Sequence, residues 1–290
     1  MSVKFLLRSQ TMGPQVVVEI DAARHEDILC ARQTLIDAKN FEERYEMIIG
    51  NYVALERFFA DYALTSRIHT VYSYHSASAI FMEANRLVMN LLTTFKSYLD
   101  QSPRSFKHLS IDFKDVFTKA TRKTFSECIA YRFISSIRNH VQHAAPPIHL
   151  ITGTDLRKPW IDQGEFFCKK EILAQDKDFK KEVLDEIGDQ VDLKVAFRQF
   201  MESLSSLHAG VRHTLRDSVN RGRDTFECAI DEYLNAQPDG RSAIGLALFK
   251  EVEGGLFLST PVFLDWDETR IELASKNRPF WVQVTSPTAC

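Results

Sequence analysis

The chain lacks the devices that mark several specialised folds. Its five cysteines, Cys30, Cys128, Cys168, Cys228 and Cys290, are odd in number, far apart and form no C-x2-C pair. This argues against a disulfide framework and against a zinc knuckle. No stretch approaches the roughly 18 apolar residues of a membrane span, and the apolar part of Met1 to Arg8 is too short for a secretory signal. There is no bulk excess of base: the formal charge is −3 and the pI about 6.3, so the chain is not a basic nucleic-acid protein overall. Gly240-x4-Gly245 lacks the Lys-Ser/Thr of a phosphate loop and reads as a turn entering a strand. No internal repeat or low-complexity tract is present. These absences predict a protein of a reducing compartment, placed in the cytoplasm, with no membrane partner.

What is present fits a protein with a substantial core, since 44% of the 290 residues are hydrophobic and 26% charged. Val3 to Leu7 and Val16 to Ile20 read as two strands of a hairpin within residues 1–23. Apolar spacing predicts long helices at about 24–64, 70–99, 111–144 and 190–235. Residues 147–189 form an insertion with short strands at Ile148 to Ile151 and Glu165 to Cys168. Residues 238–290 read as a β-rich end, with extended segments at Ala243 to Val252, Gly255 to Phe263 and Phe280 to Val284. The fold class is mainly α: a helical bundle over 24–146, completed by the helix at 190–237, with a small flanking sheet or β-rich edges. The edges either pair with one another or form a separate C-terminal domain. Asp265, Asp267 and Glu268 around Trp266 read as a solvated turn of the extended tail, and Tyr72, Tyr74, Phe81 and Phe95 as helix core.

Charge is uneven along the chain. From Ile111 to His149 there are six cations (Lys114, Lys119, Arg122, Lys123, Arg132, Arg138) against three acids, whereas Asp21 to Ala63 carries nine acids against five cations. Such a basic helix on an acidic body keeps non-specific affinity for nucleic acid modest while aiming a phosphate at one place, with Arg122, Lys123 and Arg132 as RNA-binding candidates. An ordinary solvated helix surface is the competing reading. Arg212 and Arg216, four apart on the last long helix, either extend an RNA track or pair with acids of the 21–63 helix.

Residues 131–149 carry the most chemistry. Phe125, Ile129, Phe133, Ile137 and Val141 recur every four residues, with Cys128 and Ile134 beside them, which marks a buried helical stripe. Pro146 and Pro147 stop this helix. Arg138, Asn139, His140 and His143 therefore fall in its last turns, where the carbonyl end favours cations. Arg is a permanent cation with a planar fork suited to phosphate, and His moves a proton near neutral pH. The plainer reading is that Arg138 caps carbonyls or pairs with an acid such as Glu83, while His143 packs against a neighbouring helix. His140-x2-His143-x5-His149 crosses the proline break and offers no Cys or carboxylate beside it, so no metal site is expected.

The string Ile137-Arg138-Asn139-His140-Val141-Gln142-His143 resembles the R-x4–6-H motif of HEPN domains (higher eukaryotes and prokaryotes nucleotide-binding). Asn139 fits the polar residue that often follows the motif Arg. The earlier segment Glu83 to Leu92, followed by Phe95 and Tyr98, is similar to the companion helix of uncharacterised bacterial members. The resemblance covers roughly residues 24–145. It implies an endoribonuclease that needs no metal or cofactor. His143 would serve as proton carrier, Arg138 would neutralise the phosphorane, Asn139 would orient the phosphate or the imidazole, and His140 is a second candidate proton carrier. It also implies roles as toxin or antiviral-defence effector, with RNA, an antitoxin or a defence-system component as partner. Non-catalytic members bind RNA, nucleotides or protein, which is the alternative. Ala145 stands where the AMPylation-controlled members carry Tyr, so that regulation is not implied. Five residues along a helix turn by about 140°, so residues 138 and 143 share a pocket only if the last turn unwinds or two copies pair. A homodimer with a composite site is the expectation.

Overall fold

The computed structural model describes residues 3–12, 16–69, 73–109, 111–143, 145–153, 164–237, 242–253 and 255–280, and the side chains of Gln142 and His143 lie outside that description. The fold is mainly helical with small antiparallel sheets. Among the described residues no helix is long and apolar enough to cross a membrane. The chain divides into two compact units. One comprises residues 1–43, 104–113 and 212–276; the other comprises 44–103, 114–211 and 277–290.

The first unit is built on a four-stranded sheet. β1 (Val3–Ser9) and β2 (Val17–Ile20) form the expected antiparallel hairpin, with Phe5 opposite Ile20 and Arg8 opposite Val17. The other edge of β1 pairs antiparallel with β6 (Leu246–Val252), and β6 pairs with β7 (Gly255–Pro261), giving the order β2-β1-β6-β7. Of the two arrangements open for the edges, the N-terminal hairpin and C-terminal strands thus join. Gly245 adopts φ +70° just before β6, a conformation that favours glycine, and so supplies the turn into that strand. Leu7, Ala247 and Leu248 from the sheet are buried, as are Ile28 and Leu35 from the start of α1 (Ala22–Ile68) and Phe226 from the end of α7 (Leu193–Asn235). The helices approach closely at Gly222, where a Cβ would stand 3.3 Å from the Ala31 carbonyl oxygen.

The acidic tail residues are not a solvated turn. Asp265, Asp267 and Glu268 open a helix, α8 (Asp265–Lys276), where carboxylates favour the exposed N–H groups of the first turn. Asp267 is fully buried and held by Arg223 and Arg270, while Glu268 takes the other arm of Arg223. The residues expected to extend a strand at 281–284 lie outside the described residues.

The second unit contains the remainder of α1, α2 (Tyr74–Gln101), all but the last residue of a one-turn 3-10 helix (Ser102–Arg104), all but the first residue of α3 (Phe113–Glu127), and α4 (Ile129–His143). The short helices α5 (Lys170–Leu173) and α6 (Lys181–Glu186) and the first part of α7 complete it. Ser73 caps α2 by accepting a hydrogen bond from the Ser76 N–H at 3.2 Å. Its core is aromatic: Phe95 meets Tyr131 and Phe200 edge-on, and Tyr45 stacks on His208 at 4.0 Å between ring centroids. The insertion forms its own sheet, β3 (Leu150–Ile151), β4 (Phe166–Lys169) and β5 (Gln190–Asp192) in the order β3-β4-β5, rather than joining the terminal strands. Phe95 is core as expected, Tyr74 is exposed, and Tyr72 lies outside the described residues.

Candidate anion-binding cleft

The single helix expected over 111–144 is two, α3 and α4, with Cys128 between them. Backbone hydrogen bonds continue across the junction, from Cys128 N–H to Thr124 and from Arg132 N–H to Cys128, so the apolar repeat runs on unbroken in sequence. Arg132 fastens the junction. Its guanidinium donates to the carbonyls of Phe125 and Ser126 at the end of α3 and grips Glu186 at 2.7 Å. That cation therefore serves the α3 terminus and the α6 carboxylate. It does not line the cleft described below.

The helix α4 has distinct faces. Ala130, Phe133, Ile134 and Ile137 enter the core. His140, 3% exposed, bonds Asp176 Oδ2 through Nδ1 at 2.7 Å and meets Phe179 edge-on. Tyr131, Ser135, Arg138 and Asn139, at i, i+4, i+7 and i+8, share a third face that opens on a cleft of about 310 Å³. The other walls come from Leu99 and Pro103, from Phe117, Thr118, Thr121, Arg122 and Phe125 of α3, and from Lys180 just before α6.

Among the described residues this lining holds three cations and no carboxylate. Arg138 is half-buried, and its guanidinium donates to the Asn139 Oδ1 at 2.9 and 3.3 Å. It does not pair with Glu83, which is taken by Arg86 at 2.6 Å. Burial lowers the Arg138 pKa, an effect partly opposed by the more distant Asp100 carboxylate; a guanidinium nonetheless stays charged at any physiological pH. Two hydroxyls of the same face, Tyr131 Oη and Ser135 Oγ, are buried with no hydrogen-bond partner among the described residues. Desolvation raises the Tyr131 pKa while the nearby Arg138 charge opposes the rise, so the phenol stays a neutral donor. Cations with no ion pair among the described residues and donors without acceptors are the chemistry that suits an anion, with Lys180 also lying 4.5 Å over the Phe125 ring.

Of the residues expected from sequence, Arg138, Asn139 and Arg122 meet here. The backbone of α4 stays helical through His143, which puts residues 138 and 143 about 140° apart around the axis. Lys123 lies instead in a second cleft of about 420 Å³ that Glu127 and Glu202 also line, and those acids oppose a polyanion. Arg212 takes the intramolecular course, gripping the buried Glu42 at 2.6 and 2.7 Å, and Arg216 is exposed. Both belong to the first unit and are absent from the cleft. Tyr131, Ser135, Thr118, Thr121 and Lys180 were not picked out from sequence. The first two stood at helical spacing from Arg138, a usable signal, while Lys180 is brought in by the chain fold.

His149 accepts the Lys169 N–H through Nδ1 at 2.9 Å, and burial together with the His140 charge lowers its pKa. Among the described residues no group of three His, Cys, Asp or Glu side chains is placed to hold a metal ion. No family model matches the chain, and no curated protein and no solved structure matches it significantly.

Proposed function

We propose that the protein is a metal-independent endoribonuclease of HEPN type whose phosphate-handling group is Arg138. The observation that supports this most is a cleft that no acid lines among the described residues, with a half-buried Arg138 that makes no ion pair among them, beside Asn139 and Arg122. In this reading the ribose 2′-oxygen attacks the adjacent phosphorus and the bond to the 5′-oxygen breaks. His143 takes the 2′-OH proton or returns one to the leaving oxygen. Arg138 neutralises the charge that grows on the phosphorane, and Asn139 orients the phosphate. The products are a 2′,3′-cyclic phosphate and a 5′-hydroxyl.

The helical turn between residues 138 and 143 favours a second copy as the source of the imidazole over unwinding of the last turn, so the working form is an isologous homodimer. A second reading rests on the cleft's own lining, which includes no imidazole among the described residues: a module that binds RNA or a nucleotide without cutting it. The deciding experiment is incubation of the protein with RNA in excess chelator, comparing wild type, Arg138→Ala and His143→Ala. Cleavage lost in both variants supports the nuclease; RNA retention without cleavage supports the binding module. A species that stays monomeric at high concentration contradicts the composite site.

A further inference from the structure

We infer that the cleft recognises a terminal phosphomonoester, the dianion at the end of an RNA strand or on a free nucleotide, in preference to an internal phosphodiester. This rests on the reading that the cleft receives phosphate, and adds which phosphate. Charge favours the monoester. A phosphodiester carries one negative charge, and a phosphomonoester between about 1.5 and 2 at neutral pH, with three free oxygens. Arg122, Arg138 and Lys180 bring three positive charges into the lining, and among the described residues no carboxylate lines it, Asp100 acting on Arg138 from outside the lining.

The supply of donors favours it as well. Asn139 has its oxygen occupied by Arg138, which leaves its amide N–H groups to donate into the cleft. Tyr131 Oη and Ser135 Oγ add two hydroxyls that solvent does not reach and that no described residue satisfies. A diester spends two of its four oxygens on chain continuation, whereas a monoester offers three oxygens to such a set. A volume of about 310 Å³ lies at the lower bound of small-molecule pockets, the size of one nucleotide. Leu99, Pro103, Phe117 and Phe125 supply apolar surface for its base or sugar.

The test is calorimetric titration of the full chain carrying His143→Ala, so that no strand is cut. The probes are adenosine 5′-monophosphate, adenosine, the diester adenylyl-adenosine without terminal phosphate, and one short RNA bearing a 5′-phosphate, a 3′-phosphate or only hydroxyl ends. The expected result is at least ten-fold tighter binding of the monoester probes than of their phosphate-free or diester counterparts. Tyr131→Phe and Ser135→Ala should each weaken the monoester about ten-fold and leave adenosine unchanged. Binding should also strengthen as pH rises through about 6, where the second phosphate proton leaves. Tight binding of phosphate-ended RNA alone assigns the strand end, and equal binding of the mononucleotide assigns the free nucleotide. Equal affinity for the diester and the monoester, or no effect of either hydroxyl deletion, overturns the inference. Loss of end preference with cleavage retained leaves the nuclease reading standing, whereas end preference without any cleavage removes the nuclease and keeps the pocket.

Discussion

Deleting a single oxygen atom, Tyr131→Phe, should stabilise the protein while impairing its cleft. The Tyr131 hydroxyl is buried and without a partner, and the ring is 98% removed from solvent against Phe95 and Phe200, each about 5.6 Å away between centroids. The substitution leaves those ring contacts in place and removes only the desolvated donor. An unsatisfied buried polar group costs about 1–3 kcal/mol, and taking the low end gives about 1 kcal/mol of added stability. For a chain of this size that corresponds to about 2–4 °C in Tm. Thermal unfolding followed by circular dichroism, with and without saturating adenosine 5′-monophosphate, measures it. Without ligand the variant should melt higher; with ligand the wild type should gain more, because only its hydroxyl meets the phosphate. A Tm lowered by more than about 2 °C without ligand would show that the hydroxyl serves the fold, and the argument for a donor-rich cleft would fail.

Three further outcomes follow from the same geometry. Arg212→Ala removes the guanidinium that grips the Glu42 carboxylate, 4% exposed, and should cost about 3 kcal/mol by denaturant unfolding, while RNA affinity changes less than two-fold; a large affinity loss at unchanged stability would restore Arg212 to the RNA track. Gly164→Ala puts a Cβ into the Tyr62 ring at a residue with φ +70°, and should lower stability by at least about 2 kcal/mol; a neutral result would contradict the packing of that loop. Burial holds the His149 pKa below its unfolded value near 6.5, so its contribution is complete above about pH 6.5 and is lost as pH falls through that value towards the folded pKa. The wild-type Tm should therefore drop on acidification from about pH 7.5 to 5.5 by more than that of His149→Asn, and equal drops would show that His149 is not the group responsible.

The helix carrying Arg138 was legible because its apolar repeat and the prolines after it are both local signals: Phe133 and Ile137 are buried, and α4 ends at His143. The hairpin of β1 and β2 was legible for the same reason. The junction at Cys128 was not, because the four-residue repeat passes through it without interruption. The pairing of β1 with β6 joins residues some 240 positions apart, and apolar alternation does not say which strand seeks which. In the tail, three acids were read as solvation when carboxylates at a helix start carry a physical meaning of their own. At the cleft, sequence singled out Arg138, Asn139 and Arg122 from charge and motif. Tyr131 stood at helical spacing from Arg138 but was not singled out, and only the missing partner of its hydroxyl among the described residues separates a cleft role from a core one. Lys180 sits 42 residues from Arg138 in a segment with no periodic signal, and only the fold brings them to one wall.

The most direct measurement is cleavage, in excess chelator, of one RNA strand made in two forms, all-ribose and with single 2′-deoxy substitutions at the cut positions. If Arg138 and a proton-carrying imidazole work on a phosphate attacked by its own 2′-oxygen, the ribose strand is cut to cyclic-phosphate and 5′-hydroxyl ends, the substituted positions stay intact, and Arg138→Ala cuts neither. Equal cutting of the deoxy-substituted positions, or full activity in Arg138→Ala, would contradict the account.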